Sequence, residues 1–540
     1  MLNAGRIDLT NGSGRTSDTF TVVGNYVGQN GLVFLDTRLG DDSSPSDRLV
    51  ISNGEASGLT SLGIVNAGGG GGATLDDGIM VVRAINGATT SDSAFVLSGP
   101  VAAGAFEYLL FKGGVSAGSA ENWYLRSTLV PGPIEPAPVP ASVAPPPVPV
   151  DPEPTVAPPE DPVQPPPTVL NPDPPLTPPD EPPVVAPPDP PPPPVTVFVP
   201  PGIPGQGVPP PTPGATPVVA SVVPLYRIET ATYSAIQPVA QNLGLASIGT
   251  FHERRGEQAL FDGTGMLPAA WARVYGSDGD IKWSGTVDPT FDGSVVGFQV
   301  GLDLMGWESA SGHQDRAGLF IDHGRADGDV RGQALGWNDL SVGGIKLNST
   351  SVGAYWTHIG PQGWYLDGVV LASWLDGDAT SNRGIGIDID GTGIAASLEG
   401  GYPFQLTPGV TLEPQAQLIW QHFSIDDAAD RFSTVSFDDG EALTGRIGLR
   451  LQAELAMGGA VVRPYAKVNL WRGLSGSQDI LFGATTISTE TDATTLEVGG
   501  GLVAELTKAV SFHVTGGYST NLGGERQRVV EGNIGLTVNW

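Results

Sequence analysis

The chain has 540 residues, and at roughly 150 residues per domain this length predicts three or four structural units. It carries 26 Lys and Arg against 57 Asp and Glu, and the resulting net charge of −31 disfavours nucleic acid or an acidic lipid surface as a partner. The absence of Cys excludes disulfides, thiolate metal sites and thiol nucleophiles, and the 76 Gly and 50 Pro argue against long helices.

Residues 1–130 read as short strands separated by Gly, Asn and Asp corners, and no helical period is visible. Strands of this length suit either a β-sandwich or a stacked β-helix, and periodicity alone does not choose between them. The first twenty residues lack the basic and then apolar pattern of a secretory signal. We therefore expect either a cytosolic protein or a chain whose front is missing.

Residues 131–217 form the sharpest break in composition, because they hold most of the prolines and carry Asp and Glu but no Lys or Arg. Proline fixes φ and removes amide donors, and the like charges repel. The segment is therefore predicted to be a disordered, extended polyproline II linker that serves as a stalk. The alternative is a ligand for an aromatic-groove domain, since PxxP patterns are frequent in it.

Residues 218–267 contain one predicted helix, because apolar residues recur at helical spacing between Pro224 and Leu245. Gly244 is its expected C-cap, and Pro238 predicts a kink or a late start. Taken alone, this stretch could be an ordinary amphipathic linker helix.

Residues 268–540 consist of segments that alternate apolar and polar side chains, which is typical of strands with one water-facing and one apolar side. Twelve such segments begin near Pro268, Gly293, Gln314, Leu347, Gly363, Thr392, Gly409, Glu441, Ala460, Asp492, Val510 and Val529. An even count suits a closed bacterial barrel. A soluble antiparallel sandwich also alternates, but these segments are about twice the usual strand length, and several Trp lie near their ends.

In this order the features resemble an autotransporter of the type V secretion class. The segment from Leu245 to Arg254 looks like the connection between the lumenal helix and the first barrel strand. Trp271 and Arg273 look like the beginning of that strand. Residues 78–127 are similar to the autochaperone region that ends pertactin-like passengers. The site residues that the resemblance implies are Arg227, Glu229, Asn242, Gly249, His252, Glu253 and Arg254 in the lumenal helix and its connection, and Tyr108, Gly113, Gly114, Trp123 and Leu125 in the autochaperone region.

The resemblance implies an all-β protein with a pertactin-like β-helix, a linker, and a twelve-stranded transmembrane barrel around a lumenal α-helix. It implies the outer membrane of a Gram-negative bacterium, a translocator that exports and anchors its own passenger, and no enzyme. A surface adhesin or display protein for which the barrel is only an anchor is the alternative. The lumenal helix would meet charged wall residues such as Arg446, Arg450 and Lys467. The stalk would hold the folded β-helix, called the rod below, away from the cell surface. The chain would be the C-terminal part of a larger protein or a truncated homologue.

The last segment alternates outward Ile534, Leu536, Val538 and Trp540 with inward polar residues. It resembles the signal that the outer-membrane assembly machinery reads, and periplasmic chaperones and outer-membrane lipid are the other implied partners. A host or neighbouring cell surface could supply a further ligand. No nucleic acid is expected.

We predict no catalytic residue, no metal site and no cofactor. The G-x-S-x-G match at Gly114–Gly118 has no histidine before His252 to act as a base. Some autotransporters cleave themselves in the lumenal helix through an Asn side chain that cyclises against its own backbone. Asn242 is the Asn within the predicted helix, so the resemblance suggests self-cleavage there.

Overall fold

The computed structural model describes residues 1–12, 14–129, 212–257, 264–457 and 460–540. Most of the predicted Pro-rich linker, residues 131–211, lies outside this described part of the chain. Among the described residues, the structure contains no helix with the length and apolarity that a membrane span requires.

The N-terminal part is a β-helix, because its strands stack in parallel from one turn of the chain to the next. Thr19–Val23 pairs in parallel with Arg48–Ser52, and that strand pairs with Ile79–Ile85. Tyr26–Thr37 pairs in the same way with Glu55–Asn66. This parallel stacking confirms the β-helix and removes the sandwich alternative. The other strands here are Leu2–Asn3, Arg6–Asp8, Thr89–Thr90, Phe95–Leu97, Ala102–Ala103, Phe106–Glu107, Leu109–Lys112, Trp123–Arg126 and Thr128–Leu129.

The described residues of the helical segment form three helices: α1, Ile228–Ser234; α2, Ile236–Ile248; and α3, Phe251–Arg255. Helix α1 ends at Ser234, four residues before Pro238. Because Pro238 has no N–H to donate to the carbonyl of Ser234, the helix breaks here, as the predicted kink requires. Gly244 is not a C-cap, because α2 continues to Ile248. A Cβ at Gly244 would lie 2.4 Å from Nε2 of Gln421, so α2 passes close to this lumen side chain at Gly244.

Twelve antiparallel strands form a closed barrel around these helices. They are β1, Gly265–Lys282; β2, Thr290–Glu308; β3, Gln314–Ala334; β4, Trp337–Ile359; β5, Tyr365–Ser381; β6, Gly386–Gly401; β7, Val410–Ile425; β8, Gly440–Ala453; β9, Ala460–Ser475; β10, Thr494–Thr507; β11, Val510–Gly523; and β12, Gln527–Asn539. The ladder closes where β1 pairs with β12, for example Ala270 with Val538. The predicted count of twelve is confirmed.

Side chains alternate in exposure along each barrel strand, as the sequence predicts. In β2, Val296, Phe298 and Val300 are 55%, 48% and 47% exposed, whereas Gln299 is fully buried in the lumen. Trp471, one of the Trp near a segment end, does not face outward, because its indole N–H donates to the lumen carboxylate of Glu497. The outer surface is thus apolar and the lumen is polar, which is the division that a bilayer imposes on a barrel.

The two ends of the barrel differ in the length of their connections. We call the end with residues 309–313, 360–364 and 508–509 the turn end, and the opposite end the loop end. At the loop end, strands Ser284–Gly285, Ala428–Ala429, Thr434–Phe437, Ser477–Phe482 and Thr485–Glu490 form an accessory sheet. Short strands Phe404–Thr407 and Leu455–Met457 extend the turn end, and the C-terminus also lies there beside β1. Bacterial barrels carry short periplasmic turns and longer outer loops.

Candidate functional site

The backbone of α2 is held by lumen side chains near its C-terminal end. Nη2 of Arg273 donates to the carbonyls of Ala246 and Ser247 at 3.0 and 2.8 Å, and the Ser247 hydroxyl donates to Asp322 at 2.9 Å. Carbonyls in the last helical turn have no intrahelical partner, so Arg273 satisfies them. Gly249 ends α2 at a φ of 56°, and a Cβ there would lie 2.5 Å from Arg273. Both predicted residues therefore serve the helix end.

Four consecutive ionisable residues of α3 each contact a different barrel strand, and all lie near the turn end. His252 is 2.7 Å from Glu413 on β7, Glu253 is 2.8 Å from Lys467 on β9, Arg254 pairs with Asp367 on β5, and Arg255 is 2.7 Å from Asp303 on β2. Buried charges are tolerated only when they are paired in this way. Helix α3 is therefore locked to strands around the circumference of the lumen.

A capping box starts α3. The Thr250 hydroxyl accepts the backbone N–H of Glu253, and the Glu253 carboxylate accepts the backbone N–H of Thr250. The same carboxylate binds Lys467, so the local helix signal and the wall contact share one side chain.

Three carboxylates of the lumen surround one ammonium group. Carboxylate oxygens of Glu253, Glu497 and Glu531 lie within 4.8 Å of one another, a spacing that could hold a metal ion. Nζ of Lys467 is 2.8, 2.5 and 3.6 Å from these three residues. The lysine therefore supplies the positive charge that a cation would otherwise provide, and the cluster is a paired ionic core.

A cavity of about 250 Å³ runs beside α2 inside the barrel. Asn242 lines it together with Glu253, Glu497 and Glu531. The structure thus brings the predicted self-cleavage residue and three acids to the wall of one cavity. Sequence spacing gave no basis for selecting these acids, because they lie on α3, β10 and β12.

Arg227 and Glu229 lie at the loop end and contact loop residues, not the wall residues that the sequence suggested. Arg227 binds Asp430, and Arg383 in the β5–β6 loop donates to Glu229 at 2.8 and 2.6 Å. Arg383 also donates to Glu107 of the β-helix at 3.0 and 2.9 Å. Burial works to lower the pKa of Arg383, but the two carboxylates raise it above its usual value, so the guanidinium stays charged.

The predicted autochaperone residues lie at the C-terminal end of the β-helix. Tyr108, Trp123 and Leu125 are buried, and burial raises the pKa of the Tyr108 hydroxyl above its usual range. Gly113 has a φ of 76°, and a Cβ at Gly114 would lie 2.2 Å from an oxygen of Asp77. Each glycine therefore meets a backbone or packing requirement.

The terminal strand is paired on both sides, with β11 and β1. Ile534, Leu536 and Trp540 are exposed on the outer surface, and Val538 is half-buried. Asn533 and Thr537 point into the lumen, as predicted.

The sequence analysis missed Arg255, Glu107 and Arg383. Arg383 interrupts an acidic, Gly-rich chain with a positive charge in a short loop between two strands, and this was the available signal. Its partners Glu107 and Glu229 are 276 and 154 residues away, so no local pattern identifies them.

Comparisons with known proteins agree with these features. A profile of the autotransporter beta-domain matches residues 270–517, and a profile of Autochaperone Domain Type 1 matches residues 1–110. The predicted autochaperone residues Gly113, Gly114, Trp123 and Leu125 fall just beyond the second match.

The adhesin BmaC autotransporter of Brucella suis biovar 1 (strain 1330) is 27% identical over 97% of this chain and 14% of its own length. The probable autotransporter YfaL of Escherichia coli (strain K12) is 30% identical over 99% of this chain and 37% of its own length. The crystal structure of the beta domain of the Bordetella autotransporter BrkA covers 51% of this chain and 100% of that chain, with 27% identity and a TM-score of 0.40. The chain spans well under half the length of BmaC and YfaL. Because the two profiles together match the β-helix and most of the barrel, the chain belongs to the autotransporter family of outer-membrane proteins.

Proposed function

We propose that this chain inserts into the outer membrane, exports its own N-terminal passenger through the barrel and anchors it at the cell surface. The observation that carries the proposal is the path of the chain: α3 lies near the turn end, α2 fills the lumen, and α1 reaches the loop end, where the β-helix begins its contacts. A chain left in this position has its passenger on the side of the long loops, which face outward in bacterial barrels.

The energy for export would come from folding of the passenger itself. No nucleotide is available at an outer membrane, whereas a stacked β-helix gains stability with each rung that joins its neighbour. The buried Trp123 and Leu125 lie in the antiparallel strands that end the rod, and the buried Tyr108 directly precedes the first of these strands, so the three residues are suited to nucleate this process. Gly113 and Gly114 would make the turn within this nucleus.

The absence of Cys allows a direct test of the orientation. Val23→Cys places a thiol at a position that is 77% exposed on the β-helix, and Ser311→Cys places one in an exposed turn at the other end. We expect a membrane-impermeant maleimide to label Val23→Cys on intact cells, and Ser311→Cys only after the outer membrane is permeabilised. Labelling of Ser311→Cys alone on intact cells would overturn the proposal.

The outer surface of the barrel contacts membrane lipid. We further propose that periplasmic chaperones and the outer-membrane assembly machinery recognise the segment that ends with Ile534, Leu536, Val538 and Trp540. Before the barrel closes, this strand has an unpaired edge that can join another sheet.

A second candidate function is adhesion, in which the barrel is only an anchor for the exposed rod. It is favoured by the name of BmaC, which is called an adhesin. Cells that display the chain would adhere to host cells more than cells that display a chain lacking residues 1–100. Equal adhesion would leave export and anchoring as the function of the described residues. No catalytic residue is part of either proposal.

Self-cleavage at Asn242 stays a prediction. Its side chain lines the same cavity as Glu253, Glu497 and Glu531, and such acids could assist the cyclisation of the amide. If it occurs, purified outer membranes contain two fragments that Asn242→Ala merges into one. A single intact polypeptide for the unmodified chain would contradict it.

A further inference from the structure

The residues just before the Pro-rich segment pair with residues that follow it. Thr128–Leu129 pairs with Val223–Pro224 as antiparallel strands, although the Pro-rich residues come between them in the sequence. Leu225 donates its N–H to the carbonyl of Ser127 at 2.8 Å, and the N–H of Glu107 donates to the carbonyl of Leu225 at 2.8 Å. The segment that leads into the barrel therefore first forms part of the rod end.

A small apolar cluster holds this junction. Leu225 is fully buried, and it packs with Leu109, Leu129 and Val223. On the other side, the strand Thr216–Pro217 adds to β4 at the loop end. After the Pro-rich segment, the chain thus contacts first the barrel rim and then the rod. These contacts do not support a stalk that separates the rod from the barrel.

The rod end also contacts the barrel through buried charges. Arg383 of the β5–β6 loop donates two hydrogen bonds to Glu107, which is 2% exposed, and two more to Glu229. A guanidinium that binds two buried carboxylates in this geometry is among the stronger polar contacts in proteins. The rod contributes Glu107, and the barrel with its helix contributes the rest.

Backbone contacts complete the interface. Nε of Arg227 donates to the carbonyl of Gly104 at 2.7 Å, and the Thr230 hydroxyl donates to the carbonyl of Ala105 at 3.0 Å. A Cβ at Gly104 would lie 3.2 Å from the Phe482 carbonyl, and one at Gly483 would lie 2.8 Å from the Gly70 carbonyl. Glycines on both sides therefore allow the rod and the loops to approach closely.

From these contacts we infer that the loop end of the barrel is a docking site for the end of this chain's own β-helix, centred on Arg383 and Glu107. The rod is held there by the interface itself and not by covalent continuity through residues 130–211. A cut within those residues leaves the rod bound to the barrel. This inference goes beyond export, because it concerns what retains the passenger afterwards.

The test uses the full chain on intact cells, with a recognition sequence for a site-specific protease inserted between residues 150 and 200 and a tag at the N-terminus. After cleavage and washing, we expect the tagged fragment to remain with the cells and to leave them in urea. Release of the fragment by washing alone would overturn the inference.

Two variants identify the contact that retains the fragment. Arg383→Ala and Glu107→Gln each leave a buried partner unpaired, which mainly speeds dissociation, so we expect about tenfold faster release or more after the cut. Arg431→Ala, at an exposed arginine of a neighbouring loop, should release no faster than the unmodified sequence. Retention equal to the unmodified chain in both variants would overturn the central role of Arg383 and Glu107. Labelling of the uncut rod on the same cells separates these results from a failure of export.

Discussion

Lys467 lies among the carboxylates of Glu253, Glu497 and Glu531, which come from three separate elements of the lumen. Its side chain is 10% exposed, and that of Glu497 is 3% exposed. In a buried setting the removal of one partner costs more than the pair contributes, because the remaining charges lose their compensation. This lysine is therefore the residue on which the ionic core of the lumen depends most.

Lys467→Met should lower the free energy of unfolding of the barrel by about 3 kcal/mol or more. The measurement is urea unfolding of the chain in detergent, followed by tryptophan fluorescence. Lys508→Met, at an exposed lysine in a turn, is the control and should unfold like the unmodified chain. Equal midpoints for both variants would show that the three carboxylates do not need this cation.

Gly249→Ala should destabilise the barrel by about 1 to 3 kcal/mol, because the new Cβ meets a strained φ of 56° and the guanidinium of Arg273. The same urea titration measures it. Gly523→Ala is the matched control, since a Cβ there meets no atom within 4 Å. If both changes had the same small effect, the proposed role of Gly249 at the helix end would be wrong.

At the scale of elements, the terminal strand β12 closes the barrel and carries the predicted assembly signal. It pairs with β1 and β11 along almost its whole length, so the proposed recognition would have to precede closure of the barrel. Trp540 lies at its end, 66% exposed, and its backbone N–H donates to the carbonyl of Pro268.

Trp540→Ala should lower the yield of inserted barrel, because it removes the aromatic end of the signal while it leaves the strand ladder intact. A gel of boiled and unboiled outer membranes measures the heat-modifiable fraction. Trp307→Ala, at another exposed tryptophan of the barrel surface, controls for the loss of a lipid-facing ring. A normal yield for Trp540→Ala would count against the assembly signal.

At the scale of the whole molecule, three helices and the rod end close a barrel that would otherwise be a pore. Helix α3 is bound to four strands near one end, and Arg383, Asp430 and their partners join the loops, α1 and the rod at the other. A diffusion porin of twelve strands would instead have an open lumen.

The full chain should therefore show low conductance in a planar bilayer, and deletion of residues 225–257 should raise it severalfold. A deletion of equal length within residues 150–200 is the control and should leave the conductance low. Heat modifiability of each protein establishes that the barrel has formed. High conductance of the unmodified chain would instead indicate that the protein is a diffusion porin.

The local pattern of the sequence was sufficient for much of the fold. Alternation at period two needs only neighbouring residues, so it predicted twelve strands, and the exposure of Phe298 against the buried Gln299 follows that pattern. The end of the helix was misjudged, because Gly244 looks like a cap in sequence but lies within α2, close to the side chain of Gln421. The capping box at Thr250 and Glu253 was the local signal for α3 that was overlooked.

By itself, the sequence determined that the chain is all-β, that it contains no thiol chemistry, and that an alternating barrel follows a Pro-rich segment. Only the tertiary structure decided that the first part is a parallel β-helix, that β1 meets β12, and that the chain around the linker returns to the rod. It also decided which charges pair, such as Glu107 with Arg383 across 276 residues of sequence. The physical reason is range: periodicity and capping are properties of adjacent residues, whereas ladder closure and ion pairing depend on which distant surfaces the fold brings together.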